Sequence, residues 1–176
     1  MSASPRRNLE IKARVRSLAD ARQVASEVAT ESLGVLHQVD TFFPCAKGRL
    51  KVRQEKGRPA ELIAYQRPTS PGAKASDYFL IEVADGEGLI AALTSTLGVG
   101  QIVRKRREVF LYHNVRIHLD QVAGLGEFLE LESVVDAGTD EETAARRLEE
   151  LIAKFQIDPA DLIPASYADL ITAGEQ

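Results

Sequence analysis

The chain has 176 residues, of which 44% are hydrophobic and 27% charged, and its net charge is −4. That length suits one domain with its own core, and the composition is that of a globular chain rather than a disordered one. The acidic balance argues against a general nucleic-acid binder, which needs a basic face to displace counterions. No stretch approaches the roughly 18 consecutive apolar residues of a membrane span. The single cysteine, Cys45, allows no internal disulfide, and no Cys/His cluster has zinc-ligand spacing. Met1 to Arg7 hold no signal-peptide-like apolar run. The expectation is a cytoplasmic protein, one domain over residues 1–176, with flexible tails at 1–7 and 172–176.

Along the chain the dominant signal is period-2 alternation, the mark of strands with two unlike faces. Leu9, Ile11, Ala13 and Val15 alternate with Asn8, Glu10, Lys12, Arg14 and Arg16. Residues 17–33 then carry Leu18, Ala21, Val24, Ala25 and Val28 on one helical stripe, with Gly34 as the expected stop. Residues 36–43 read as a weaker strand. Leu50 and Val52 are set against Arg49, Lys51 and Arg53 in the next. Residues 60–67 and 77–84 are further strands, separated by an exposed loop over 67–76 that contains Pro68, Ser70, Pro71 and Gly72. A helix over 86–97 presents Leu89, Ile90, Leu93 and Leu97 and ends at Gly98. A strand over 101–112 follows. Val115, Ile117 and Leu119 then alternate with Asn114, Arg116, His118 and Asp120, and Leu129 and Leu131 with Phe128, Glu130 and Glu132. A helix over 139–155 opens on Thr139 and Glu142 at capping-box spacing. Asp158 and Pro159 are a good start for a short last helix. The pattern count is about eight strands.

The helices offer narrow apolar stripes and the strands one apolar face each, so the helices pack on one face of an antiparallel sheet. The charged face then looks either at solvent, as in an open sheet, or into a lumen. Two features favour the lumen. Acids dominate the last strands (Asp120, Glu130, Glu132) and bases the middle ones (Lys51, Arg53, Lys105, Arg107). Eight strands is also the size at which a closed barrel holds side chains and one small ligand. Buried charges of both signs need partners; a polyanion with a hard cation supplies them.

The ordered motifs resemble those of the CYTH superfamily, the triphosphate tunnel metalloenzymes. Asn8-Leu9-Glu10-Ile11-Lys12 is similar to the family's E-x-E-x-K opening strand. Gln38-Val39-Asp40-Thr41-Phe42-Phe43 resembles its acid-then-aromatic strand, Gly48-Arg49-Leu50-Lys51-Val52-Arg53 its L-x-x-R strand, and Val103-Arg104-Lys105-Arg106-Arg107 its K-x-R strand. Asp120 to Glu132 resembles D-x-x-x-G-x-G-x-F-x-E-x-E, and Ser166-Tyr167-Ala168-Asp169-Leu170 the S-Y-x-x-L tail of the class IV adenylyl cyclase branch. The fold this implies is α+β: a closed eight-stranded antiparallel β-barrel, the triphosphate tunnel, with helices packed outside. The resemblance implies Mg2+ or Mn2+ as cofactor, held by Glu10, Asp120, Glu130 and Glu132. It implies phosphate contacts from Lys12, Arg53, Lys105 and Arg107, with Arg67 where relatives place a tunnel lysine on the fourth strand. Glu82 is a further tunnel-facing acid by parity, and with Lys51, Arg67 and Arg116 it completes the expected substrate-side residues. The partner it implies is a small-molecule triphosphate: ATP, thiamine triphosphate or tripolyphosphate. The reaction is either cyclisation of ATP to cyclic AMP and pyrophosphate or hydrolysis of the triphosphate. Nucleic acid and membrane are not expected as partners; a homodimer is.

One departure stands at the opening motif, where Asn8 replaces its first acid. An amide oxygen coordinates a hard cation without a carboxylate's charge, so a triphosphate-binding module without turnover is the alternative. Other readings stay open. Glu130 and Glu132 also suit a cross-strand salt bridge to Lys12 or Lys105. His118 shares the face of Asp120, either as a tunnel group or as a hydrogen-bonded structural residue. Tyr167 either reaches the tunnel mouth or pins the last helix. Arg104 and Arg106 alternate away from Lys105 and Arg107, so these four form no continuous basic face.

Overall fold

A computed structural model describes residues 5–66 and 73–174. Eight strands, β1 (Arg6–Arg14), β2 (Glu31–Phe43), β3 (Arg49–Glu55), β4 (Ala60–Gln66), β5 (Lys74–Val83), β6 (Ile102–Tyr112), β7 (Val115–Val122) and β8 (Gly126–Val135), close into one antiparallel barrel in the order β1-β5-β4-β3-β2-β6-β7-β8. The helices α1 (Leu18–Val28), α2 (Gly86–Leu97) and α3 (Glu141–Lys154) lie outside it, and α4 (Tyr167–Gly174) follows a 3-10 turn at Pro159–Asp161. Among the described residues, closure leaves no strand of the barrel at an edge. It also turns inward the charged face of β1, β3, β7 and β8, where charged and apolar residues alternate, as the resemblance implies, while β4 and β5 present Ile63, Tyr65, Ser76, Tyr78 and Leu80 to the interior.

Most of the hydrophobic core therefore lies outside the barrel wall. Leu9 and Ile11 of β1, Ile117 and Leu119 of β7 and Leu129 and Leu131 of β8 face outward and pack under Leu18, Ala21 and Ala25 of α1 and Ala144, Leu148 and Leu151 of α3. A second cluster sits under α2, where Leu89, Ile90 and Leu93 cover Phe43, Val52 and Ala60. A third cluster lies on the inward face, where Val103, Val122 and Phe128, which share the parity of Lys105, Asp120 and Glu130, meet Tyr167 and Ala168 of α4.

Several boundaries differ from the sequence reading. α1 ends at Val28, and residues 31–33 are strand: the Thr30 backbone N–H donates to the Leu111 carbonyl at 2.8 Å, committing the chain to pairing with β6. Gly34, at φ +81°, sits at a β-bulge in that pairing instead of stopping a helix. α3 is capped by Asp140, whose side chain accepts from the Thr143 N–H, while Thr139 pairs back to Asp136. Asp158 and Pro159 open only the 3-10 turn, and the last helix begins at Tyr167. β1 starts at Arg6, where Arg7 is held by Asp77, and α4 runs to Gly174, so ordered structure enters both stretches read as tails. β5 takes up residues 74–76 of the expected loop. The remainder of that loop, with Arg67, lies outside the described residues.

Leu131 is fully buried on the outer face of β8, opposite Ile11 and Ile117. Leu131→Ala is expected to lower the unfolding free energy by about 2–5 kcal/mol, read as a reduced midpoint in denaturant. A loss under about 1 kcal/mol would mean that the space between barrel and helices is not the main core.

Candidate active site

The inward faces of the strands surround a cavity of about 120 Å³. Its walls contain Lys12, Lys51, Arg53, Lys105, Arg107 and Arg116 together with Glu10, Asp40, Glu130 and Glu132. Two predicted residues lie elsewhere. Asp120 is fully buried behind Arg107 rather than at the cavity surface. Glu82 keeps the inward parity of Ser76, Tyr78 and Leu80 but sits beyond them near the end of β5, exposed and outside the lining, because β5 outruns the cavity.

The charges fall into two groups. On one wall, Asp40 of β2 is the hub. Arg53 donates from Nε to Oδ1 at 2.8 Å and from Nη2 to Oδ2 at 3.1 Å, Lys51 Nζ donates to Oδ2 at 2.8 Å, and Lys105 Nζ to the same oxygen at 3.2 Å. The register explains the convergence: Asp40 stands opposite Arg53 on β3, and Gln38, two residues along β2, stands opposite Lys105 on β6. Burial works against the Asp40 charge, but Arg53, Lys105 and Lys51 hold its carboxyl well below the usual range. Burial first, then Arg107, pushes the Lys105 ammonium down to about 7; Asp40 pulls it up, and Arg53 and Lys51 add to the depression.

On the other side, Arg107 of β6 donates to both oxygens of Asp120, at 2.7 and 2.6 Å, and to Glu130 Oε2 at 2.5 Å. Burial disfavours the guanidinium charge, yet Asp120 and Glu130 raise its pKa further above its ordinary value. Asp120 also accepts from the Tyr167 hydroxyl at 2.8 Å. Lys12 Nζ lies 3.5 Å from Glu130 Oε1 and 3.9 Å from the centre of the Tyr167 ring. Glu132 Oε2 pairs with Arg116 at 3.0 Å. Burial raises the carboxyls of Glu130 and Glu132, but Lys12 and Arg107 around the first and Arg116 and His118 around the second bring both below their ordinary values.

Asn8, Glu10 and Lys12 of β1 face this acidic side, with Glu10 directly opposite Glu132 and Lys12 opposite Glu130. The Asn8 Oδ1 and His118 Nδ1 atoms are buried without a hydrogen-bond partner. Burial, then Arg107, lowers the His118 pKa, which favours the neutral ring. The salt bridge read as an alternative for the paired glutamates exists to Lys12, while Lys105 turns to Asp40. Both readings of Tyr167 hold: it lines the cavity and it anchors α4.

Two buried inward groups escaped the sequence-based site list. Asp40 belongs to a quoted motif, but only the register shows that three cations converge on it. Lys74 is buried at the start of β5 and donates to the Pro164 carbonyl at 2.8 Å. Its charge sits beside a proline- and glycine-rich stretch that reads as loop, so alternation gave no signal there.

The fold has many relatives among solved structures. The PH1012 protein of Pyrococcus horikoshii OT3 superposes with a TM-score of 0.82 at 22% identity, over 93% of this chain and 98% of that one. A Hippeastrum protein, described as "Putative adenylyl cyclase HpAC1" with a dominant triphosphatase activity, gives 0.68 at 17% identity over 95% and 96% of the two chains. By sequence, the Methanocaldococcus jannaschii protein named "Putative adenylate cyclase MJ0240" is 24% identical over 135 residues, 75% of each chain. The CYTH domain model matches residues 6–167, nearly the whole chain, which therefore belongs to the CYTH family.

Proposed function

We propose that the protein binds a small-molecule triphosphate with Mg2+ or Mn2+ inside the barrel and cleaves one of its phosphoanhydride bonds. The observation that supports this reading is the gathering of both signs of charge in one lumen with cations in excess: Lys51, Arg53 and Lys105 converge on Asp40, and Glu10, Glu130 and Glu132 face the cavity beside Lys12, Arg107 and Arg116. A triphosphate brings several negative charges close together, and arginine and lysine bind its oxygens with charge-assisted hydrogen bonds. The names of the Methanocaldococcus and Hippeastrum relatives point the same way.

The acidic side fits a hard divalent ion. Its donors are mainly carboxylate oxygens, and the orphaned Asn8 Oδ1 is an unfilled oxygen beside them. Glu10, Glu130 and Glu132 would hold the ion, with Asn8 lending an amide oxygen. Asp120 is a positioning group for Arg107, since it lies outside the cavity lining and its oxygens accept from that guanidinium and from the Tyr167 hydroxyl. A bound divalent ion would offset charge developing on the phosphoryl oxygens.

The chain's own side chains supply the rest. Asp40 presets Arg53, Lys51 and Lys105, and Asp120 presets Arg107, so these donors need little rearrangement as charge builds on the oxygens of the breaking bond. Burial in the barrel wall strengthens each contact by excluding water. Lys12 lies between Glu130 and the Tyr167 ring, on the acidic side of the lumen. The attacking group is water in a triphosphatase and a ribose hydroxyl in a cyclase; both require alignment more than a distinctive base.

A second reading rests on Asn8, buried at the acid wall without the charge of the motif's acid: a triphosphate-binding module without turnover. Incubation with ATP, thiamine triphosphate and tripolyphosphate, each with Mg2+ or Mn2+, distinguishes them. Cyclic AMP with pyrophosphate marks a cyclase, and phosphate release marks a hydrolase. Tight binding by calorimetry without product, and turnover gained in Asn8→Glu, would establish the module. Neither binding nor turnover would end the triphosphate reading.

Arg53→Ala is expected to lower kcat/KM about 100-fold or more, the usual loss for one preset donor, with the fold retained because Lys51 and Lys105 still neutralise Asp40. An unchanged kcat/KM would remove Arg53 from the substrate site. Lys105 gives a pH test. With a pKa of about 7, its amine is mostly neutral at pH 8, and a bound polyanion favours the ammonium. Tripolyphosphate binding at pH 8 is expected to take up a proton, measured by calorimetry in buffers of different ionisation enthalpy, and affinity is expected to fall from pH 7 to about 9. Lys105→Arg should abolish the uptake, because arginine stays charged. For stability the sign is opposite. Between about 7 and the unfolded value of 10.5 the unfolded chain holds the extra proton, so this group makes stability rise with pH across that window.

A further inference from the structure

We infer that His118 is a metal ligand on the acidic side of the lumen, and that its imidazole nitrogen biases the site toward Mn2+ and other transition-metal ions over Mg2+. The inference rests on the metal-dependent reading above and specifies it. His118 lies mid-strand on β7, inward-facing between Arg116 and Asp120 and directly opposite Glu130. It is 4% exposed, and Nδ1 is buried without a hydrogen-bond partner. That nitrogen lies 3.5 Å from Glu130 Oε2, an oxygen that also accepts from Arg107, and 3.9 Å from Glu132 Oε1, at the outer limit of a hydrogen bond to the first and beyond it to the second. One ligand atom from each of the three residues falls within 4.8 Å of the others. Donors about 2.1 Å from a shared ion sit about 3–4 Å apart, and the two distances from His118 Nδ1 to the glutamate oxygens fall in that range. Arg116 pairs with the other oxygen of Glu132, leaving Oε1 turned toward His118.

The chemistry of the donor follows from its atom. Mg2+ takes oxygen ligands and keeps its waters, so a buried imidazole nitrogen adds little to its binding. First-row transition ions accept imidazole as well as carboxylate. A buried ring nitrogen facing two carboxylates, with no protein hydrogen bond to occupy it, is the feature that an oxygen-only site lacks.

The test uses the full chain loaded with Mn2+, and it reads the metal directly. Pulsed electron paramagnetic resonance of bound Mn2+ is expected to show imidazole 14N coupling. The coupling should survive in the His37→Gln/His113→Gln double variant, which leaves His118 as the sole histidine, and vanish in His118→Gln and His118→Asn. In competition, the wild type should prefer Mn2+ to Mg2+, and either His118 variant should lose Mn2+ affinity by about tenfold or more, with Mg2+ affinity nearly unchanged. The double variant decides the matter even if the His118 variants fail to fold. Bound Mn2+ without nitrogen coupling, or coupling that persists without His118, overturns the inference and leaves the metal reading standing. Failure of Mn2+ to bind even with tripolyphosphate present overturns the metal reading itself.

Discussion

Two buried carboxylates, Asp40 and Asp120, hold the cations of the lumen in place, and the barrel depends on them. A closed wall of eight strands takes Arg53, Lys51, Lys105 and Arg107 out of bulk water. Burying a charge without a partner is costly enough to prevent it. Asp40 accepts from three of these side chains and Asp120 takes both arms of Arg107. Each anchor fixes direction as well as charge: Nε and Nη2 of Arg53 grip Asp40, as those of Arg107 grip Asp120.

The anchoring is incomplete by design of charge count. Among the described residues, six cationic side chains and four carboxylates line the cavity, and one of the four, Asp40, is committed to the basic wall. The depressed ammonium of Lys105 is the physical expression of that surplus: burial and three neighbouring cations outweigh one carboxylate. An anion in the lumen offsets the repulsion among these groups, so affinity for a polyanion and the depressed Lys105 ammonium have the same origin.

Strand alternation made the barrel legible from residues such as Leu9, Ile11, Leu129 and Leu131, because their outward parity matches helices that need an apolar partner. It also assigned Glu10, Lys12, Arg53, Lys105, Glu130 and Glu132 to one common face. Register was not legible. Nothing local says that β2 lies between β3 and β6, and without that neighbourhood Asp40 is one acid in a motif rather than the hub of three cations. Parity also fails to report depth. Glu82 has the inward parity of Tyr78 yet lies past the cavity, and Asp120 has the parity of His118 yet lies behind Arg107. The end of α1 was misread for a different reason: residues 31–33 continue an acceptable helical sequence, and only pairing with β6, which is remote in the chain, draws them into a strand.

Asn8 bears on the same electrostatics from the acid wall. Glu10 stands directly across from Glu132, and Glu130 projects from the same face of β8 two residues away. Like charges opposed in this way repel, and a fourth carboxylate at position 8 would add to that repulsion unless a cation were bound. With an amide there, the wall keeps an oxygen donor while shedding one charge, so the ion-free barrel is under less repulsion and its call on a cation is weaker. The carboxylates that remain have cationic neighbours: Lys12 and Arg107 at Glu130, Arg116 at Glu132. The acid wall is thus close to self-sufficient without metal, and an ion that binds there must compete with these side chains. In that competition a neutral nitrogen donor such as His118, whose Nδ1 accepts from no cationic side chain in this structure, counts for more than another carboxylate would.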